Sequence, residues 1–153
     1  MQSEKLGFLL SRAAHTHWRV SGARFQKRGI TPGQPKILGF LARHDGCIQR
    51  ELAEHCRFQA ASISGVLSSM EREGLIERRQ DSADRRVLRV HLTEKGREVE
   101  AFCHHVLDDL DEAALAGFTE QERIQAISLI RRIGDNLDAQ VDESVPAEPP
   151  HRP

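Results

Sequence analysis

Residues 52–93 constrain the fold more than any other stretch, because they hold four elements with almost nothing spare between them. Ile48, Leu52, Ala53 and Cys56 recur at i, i+4, i+5 and i+8, the stripe of a short helix with one buried side. Arg57-Phe58-Gln59 is short enough to be a turn. Ile63, Val66, Leu67 and Met70 then fall at i, i+3, i+4 and i+7, a second amphipathic helix. Gly74 follows, where a helix that must stop takes a left-handed residue. Leu75 and Ile76 anchor the chain again. Glu77-Arg78-Arg79 and residues 87–92 have strand character. In the second run Leu88, Val90 and Leu92 keep a period of two, with Arg89 and His91 on the other face. Residues 81–86 between them form a polar, charged turn. Helix, turn, helix and hairpin in this order outline a winged helix-turn-helix, a module that sets one helix in a DNA groove and a hairpin beside it.

The outer face of the second helix sharpens that expectation. At roughly 100° per residue, Ala61, Gly65, Ser68 and Arg72 point away from the apolar stripe, flanked by Ser64 and Ser69. Ordinary solvated helix faces carry Lys and Glu. A small, uncharged face instead lets the backbone come close to a flat partner. Base edges in the major groove suit it: Ser hydroxyls donate or accept, and an Ala methyl meets a thymine methyl.

The wording resembles one family. Thr31-Pro32-Gly33-Gln34-Pro35 stands before Ile37-Leu38, then Glu51-Leu52-Ala53 follows. Glu71-Arg72-Glu73-Gly74-Leu75-Ile76-Glu77-Arg78 comes next, and Asp84-Arg85-Arg86 with Leu92-Thr93-Glu94-Lys95-Gly96 closes the series. In order and spacing, residues 31–97 look like the MarR family of bacterial transcriptional regulators. The helical segments on either side match in size more than in wording. The resemblance implies a cytoplasmic homodimer that binds a palindromic operator, usually represses, and often releases DNA on binding a small molecule or on oxidation. It makes residues 60–73 the recognition helix, with Ala61, Ser62, Ser64 and Ser68 near the bases. It assigns Arg50, Arg72, Arg78 and Arg79 to phosphate. In the family a wing aspartate and arginine two residues apart act together, and Asp84 and Arg86 match them, with Arg85 between. The physical reason is that a carboxylate two positions away can hold a guanidinium in one pose, ready for the negative potential of a narrow minor groove.

The 153 residues suffice for one domain with a real core. Net charge is −1, which says nothing about nucleic acid, but its distribution does. Residues 1–45 carry eight Lys and Arg against two acidic residues, and residues 98–153 carry four against thirteen. A basic front and an acidic back suggest one face for polyanions and one turned away from them. No segment is long and apolar enough for a membrane span, and no signal peptide is expected. Three cysteines without a CxxC pair suit a reducing cytoplasm.

The chain divides into four parts: an N-terminal dimerisation helix in residues 1–30, the winged helix-turn-helix in 31–93, C-terminal dimerisation helices in 94–143, and a disordered Pro-rich tail in 144–153. The fold class is therefore mainly α with a small β wing. A first helix is expected over residues 4–28, with Leu6, Leu9, Leu10, Ala13, Ala14 and His17 as its stripe. Thr31 is expected to cap a second helix, with Pro32 in its first turn and Gln34 closing a capping box. Thr93 caps the helix after the wing, where Val99, Phe102, Cys103, Val106, Leu107 and Leu110 make a clean stripe. Thr119 and Glu122 form another capping box, and Ile124, Ile127, Ile130, Ile133, Leu137 and Val141 run through the last helix. These flanking stripes exceed what the winged module can cover. A two-fold dimer would bury the excess.

An effector site is less legible. Family members often bind aromatic carboxylates or phenols between the dimer helices and the DNA-binding lobe. His15, Trp18, Arg19, Phe40 and His44 are the candidates to line such a cleft, Arg19 for a carboxylate and Trp18 for a ring. For each residue taken singly the plainer expectation is preferred: Trp18 and Phe40 in the core, His15 and His44 on the surface. Redox and metal sensing are the alternatives within the fold. Cys56 and Cys103 lie on buried stripes where a thiol is inert, which leaves Cys47, before Ile48, as the candidate for an exposed one. His15 and His17, and His104 and His105, diverge on their helices, so no metal or cofactor is expected. The run Asp108, Asp109, Asp111 and Glu112 reads as a solvated face offset by the basic first helix. A winged helix used for protein contact is the alternative of another class, against which the basic wing and Asp84-x-Arg86 speak. No nucleophile–base pair, phosphate loop or metal motif supports an enzyme.

Overall fold

The computed structural model describes residues 5–141. Its order is α1 (Leu6–Gln26), α2 (Gln34–Arg43), β1 (Cys47–Ile48), α3 (Gln49–Cys56), α4 (Ala60–Arg72), β2 (Ile76–Gln80), β3 (Leu88–Leu92), α5 (Glu94–Ala114) and α6 (Glu120–Asp138). The three strands form an antiparallel sheet in the order β1-β3-β2. Arg79 faces Arg89 and Gln80 faces Leu88 at the outer end of the hairpin, while Ile76 faces Leu92 at its base. This is the winged helix-turn-helix, mainly helical with a small sheet, between N- and C-terminal helices.

The core lies where α2, α3, α4 and the base of the wing meet. Ile37, Leu38, Leu41, Leu52, Ile63, Leu67 and Met70 are fully buried there, with Val90 and Ile76 of the sheet beneath. The α4 stripe therefore packs inward as its spacing requires. Gln34 is a polar member of this core and is satisfied on both sides. Its Oε1 accepts the Thr31 N–H at 3.1 Å, and its Nε2 donates to the Glu73 carboxylate at 3.0 Å. Ser69 Oγ donates to the same carboxylate at 2.9 Å. The start of α2 is thus fastened to the end of α4, which keeps the helix-turn-helix rigid.

Several boundaries differ from expectation. Thr31 does not cap α2, because the helix begins only at Gln34. Gly33 stands before it at φ +90°, against the Phe58 ring, where a Cβ would come within 2.8 Å of Cζ. Ile48 does not open α3. It belongs to β1, a strand too short to show a period, which pairs with Arg89 of β3. Trp18 is not core: it is 42% exposed. The last helix ends at Asp138, so Val141 lies beyond it. Residue 4, at the expected start of the first helix, and the tail at 144–153 fall outside the described residues.

The flanking helices are capped as read. Thr93 Oγ1 accepts the Gly96 N–H, and Thr119 with Glu122 forms a full capping box. Arg24 of α1 meets Asp109 of α5 at 3.4 Å, so the basic first helix offsets the acidic run at that residue, while Glu112 pairs with Arg123 of α6. On α5, Cys103 and Val106 are buried, while α6 buries no residue. Ile124, Ile127, Ile130 and Leu137 are each more than half exposed in the single chain.

Gly96 tolerates no side chain, because a Cβ would stand 2.0 Å from the Leu75 carbonyl oxygen. That oxygen also accepts the Thr93 N–H, so it cannot move away freely. Gly96→Ala is expected to destabilise the fold by roughly 1–3 kcal/mol. Urea unfolding at equilibrium, followed by circular dichroism, measures this; an unchanged midpoint would show that α5 can slide off the wing without cost.

Candidate nucleic-acid interface

Burying Ile63, Leu67 and Met70 turns the opposite face of α4 to solvent. Ala61, Ser64, Gly65, Ser68 and Arg72 are exposed there, and Ser62 is half-buried at its edge. Ser64 is held from the neighbouring helix, since Gln49 Nε2 donates to its Oγ at 2.7 Å. Gln49 was not legible as a site residue. Its register against Ser64 depends on the turn between α3 and α4, which no local period specifies.

The wing tip is built on two aspartates. Asp81 accepts the N–H groups of Ala83 (2.8 Å) and Asp84 (3.0 Å), and it also binds Arg89 Nε. The Arg89 guanidinium chiefly, with the two backbone donors, pushes the Asp81 carboxyl down to about 2. Arg89 reaches on to the Gly46 carbonyl at 2.8 Å, fastening the wing to the loop before β1. Asp84 accepts from the Arg86 N–H at 3.0 Å and from its Nε and Nη2, each at 3.1 Å. That contact holds the Asp84 carboxyl below its ordinary value. The Arg86 side chain remains 90% exposed, so the guanidinium is posed but uncovered. Asp81 and Arg89 were visible only as members of a polar turn and a basic strand. Their signal was the Asp81-x-x-Asp84 spacing, which suits side chains that cap their own turn.

The remaining basic candidates differ in freedom. Arg78 is a quarter exposed, and its guanidinium forks onto Glu71 at 2.6 and 3.0 Å. Arg79 binds Glu77, and Arg50 binds Glu54 one turn on at 2.7 Å. Arg72 and Arg85 are exposed. At the wing base Asp45 accepts the Leu92 N–H at 2.8 Å and meets His91 at 2.9 Å. Burial works to raise the Asp45 carboxyl, but these bonds outweigh it and hold it below its usual range.

A family model described as the MarR family matches residues 28–87. The transcriptional regulator HosA of Escherichia coli O127:H6 is 30% identical over 104 residues, which cover 68% of this chain and 77% of that protein. A probable transcriptional regulator from Pseudomonas aeruginosa, known from its crystal structure, is 30% identical. It aligns over 85% of this chain and 97% of its own with a TM-score of 0.71. The chain belongs to the MarR family. It is therefore a DNA-binding transcriptional regulator and not an enzyme. The MepR–DNA complex of Staphylococcus aureus, at 22% identity, shares the fold with a TM-score of 0.77 over 88% of this chain and 99% of that one.

In this MarR-family chain the effector candidates do not form one lining. Phe40 is buried between His44 and His55, with ring centroids 4.6 and 4.3 Å apart. Phe40 and His44 border an open groove of about 650 Å³ with Asp45, Glu51, Glu54 and Arg89. His15, Trp18 and Arg19 lie on α1 and are not part of that groove. His15 and Arg19 are exposed, and Trp18 packs edge-on to His17 with the Lys36 ammonium 5.9 Å from its ring. No group of metal-ligating side chains occurs among the described residues, and no helix among them is long and apolar enough to cross a membrane.

Cys47 corrects an expectation. It is buried in β1, not exposed in a loop, because its pairing with Val90 turns it into the core. Burial, seconded by the Glu51 charge, pushes its thiol up to about 11. Burial also raises Cys56, and raises Cys103 to about 11. At pH 8 the thiolate fraction of Cys47 and Cys103 is therefore minute, and Cys56 is buried with them in the core. Iodoacetamide is expected to leave the folded chain unmodified at pH 8 and to label all three cysteines in denaturant, read by intact mass. Rapid labelling of the native protein would revive an oxidant-sensing role.

Proposed function

We propose that two copies of this chain form a homodimer that clamps a palindromic DNA operator, represses transcription from it, and lets go when a small aromatic or phenolic molecule binds. The reading is carried by one observation: a posed, uncovered Arg86 at the wing tip beside a recognition helix whose outward face is nearly all small residues. In this arrangement α4 enters the major groove, bringing Ala61, Ser62, Ser64 and Ser68 to base edges. Arg86, oriented by Asp84, enters the flanking minor groove. Arg72 and Arg85 add phosphate contacts, and Arg50 and Arg79 join them by exchanging carboxylate for phosphate. Arg78, forked onto Glu71, braces β2 against α4 and keeps wing and recognition helix in register. The apolar faces left on α6 supply the dimer interface, which two-fold symmetry can bury against its own copy. The DNA-bound MepR structure lends support, since the fold shared with this chain is there seen on DNA. The cytoplasm follows from the work itself.

Two places suit the proposed effector. Phe40 and His44 border a groove at the foot of the wing, and Trp18 offers an exposed ring on α1. A flat ring stacked at either place sits beside elements that orient the DNA-binding lobe.

Arg86→Ala tests the wing. Fluorescence anisotropy on a selected operator is expected to give a Kd roughly tenfold higher. The slope of log Kd on log salt should fall by about two per dimer, near 0.9 for each cation withdrawn from the DNA. A Kd and slope equal to those of the parent would remove the wing tip from the contact.

A further inference from the structure

Arg57 closes α3 in the left-handed region, at φ 56° and ψ 39°. Among the described residues it is the one non-glycine with positive φ. Helix ends of this kind favour Gly, which avoids the clash between Cβ and carbonyl. The chain uses Gly at Gly29, Gly33, Gly46, Gly74 and Gly117, where φ is also positive. The turn between α3 and α4 instead carries a long cationic side chain in a conformation such residues rarely adopt.

That side chain spans to the far end of the fold. Arg57 Nη1 donates to Asp138 Oδ1 at 2.8 Å, and Nη2 donates to Oδ2. Asp138 is the last residue of α6. A forked guanidinium–carboxylate contact fixes direction as well as distance, which a lysine would not. Both side chains are open to water, at 62% and 46% exposure. A pair so exposed adds little to global stability. Its effect is on position.

Position matters because the two ends of this pair belong to different bodies. Arg57 is part of the helix-turn-helix. α6 buries none of its residues in the single chain and turns its apolar face outward. Near its start α6 is held to α5 by Arg123 and Glu112 at 2.9 Å, and at its end it meets the DNA-binding lobe through Arg57. We propose that Arg57 is a positioning residue for DNA recognition: with Asp138 it ties the turn between α3 and α4 to the dimer frame, and so sets the spacing and tilt of the two recognition helices. This rests on the dimeric DNA-binding reading above. Two such helices must lie about one turn of DNA apart, roughly 34 Å, to enter successive major grooves. Slack at the turn spoils that match without removing any DNA contact.

Asp138→Asn separates this from plain electrostatics. It keeps the side chain's shape and removes a carboxylate that repels DNA, so charge alone predicts tighter binding. A positional tie predicts the opposite: a Kd about five- to tenfold higher, with an unchanged dimer in sedimentation. Exchanging the partners, Arg57→Asp with Asp138→Arg, is expected to recover most of the loss. A second readout needs no DNA. A spin label at Ser82→Cys on the wing, with the native thiols buried, is expected to give one narrow distance between protomers, and Asp138→Asn is expected to broaden it. Unchanged or tighter DNA binding by Asp138→Asn, or an unaltered distance distribution, would overturn the proposal. If the parent protein selects no DNA sequence, the reading beneath it fails, while the spin-label distances still decide whether the tie exists.

Discussion

Burial of Ile63, Leu67 and Met70 decides what α4 can show to the outside. With three side chains locked against α2, α3 and the sheet, a helix of 3.6 residues per turn has no rotational freedom left. Its other face must be Ala61, Ser64, Gly65, Ser68 and Arg72. Each buried aliphatic contributes on the order of 1.5–3 kcal/mol, far more than any surface contact of the outward residues. The core therefore holds the small outward face in place, the face that the proposed reading brings to DNA. The Gln34–Glu73–Ser69 cluster adds direction to this packing by fastening the helix at its end.

The wing works on a different principle. It has little core of its own: Leu88 near its tip is half exposed, and Val90 and Leu92 are buried only nearer its base. Carboxylates order it instead. Asp81 caps the turn and holds Arg89, which grips the Gly46 carbonyl, while Asp84 holds Arg86. All these carboxylates are depressed in pKa, so they remain charged well below neutral pH. An arginine held this way has already lost much of its rotamer freedom, and in the proposed DNA contact that lowers the ordering cost of binding.

Elements with a long, regular period were legible from sequence. The stripes of α4 and α5, the caps at Thr93 and Thr119 and the hairpin all follow from local spacing, while the Asp84–Arg86 pair was implied by the family resemblance. What was missed depends on contacts across the chain. Cys47 looked like loop because a two-residue strand has no period, and its burial comes from Val90. Thr31 looked like a helix cap because its spacing to Gln34 suits one. Gly33 is pressed on the Phe58 ring of a distant turn, and the helix begins two residues later than a Thr31 cap would have it. Trp18 looked like core because aromatic residues usually are. Gln49 drew no attention and Arg89 read only as part of a basic strand, since their partners are Ser64 and Gly46, far off in sequence. His15, Trp18 and Arg19 did not join Phe40 and His44 in one lining, because which side chains share a groove is set by tertiary packing and not by spacing.

The central claim is that two copies of this chain present α4 and the wing to DNA with two-fold symmetry. Repeated selection of the full-length protein against a random duplex library, followed by sequencing, tests it most directly. Enrichment of an inverted repeat, with half-sites about 10 base pairs apart from centre to centre, is the predicted result. A well-folded dimer that enriches no sequence, or an asymmetric one, would contradict it.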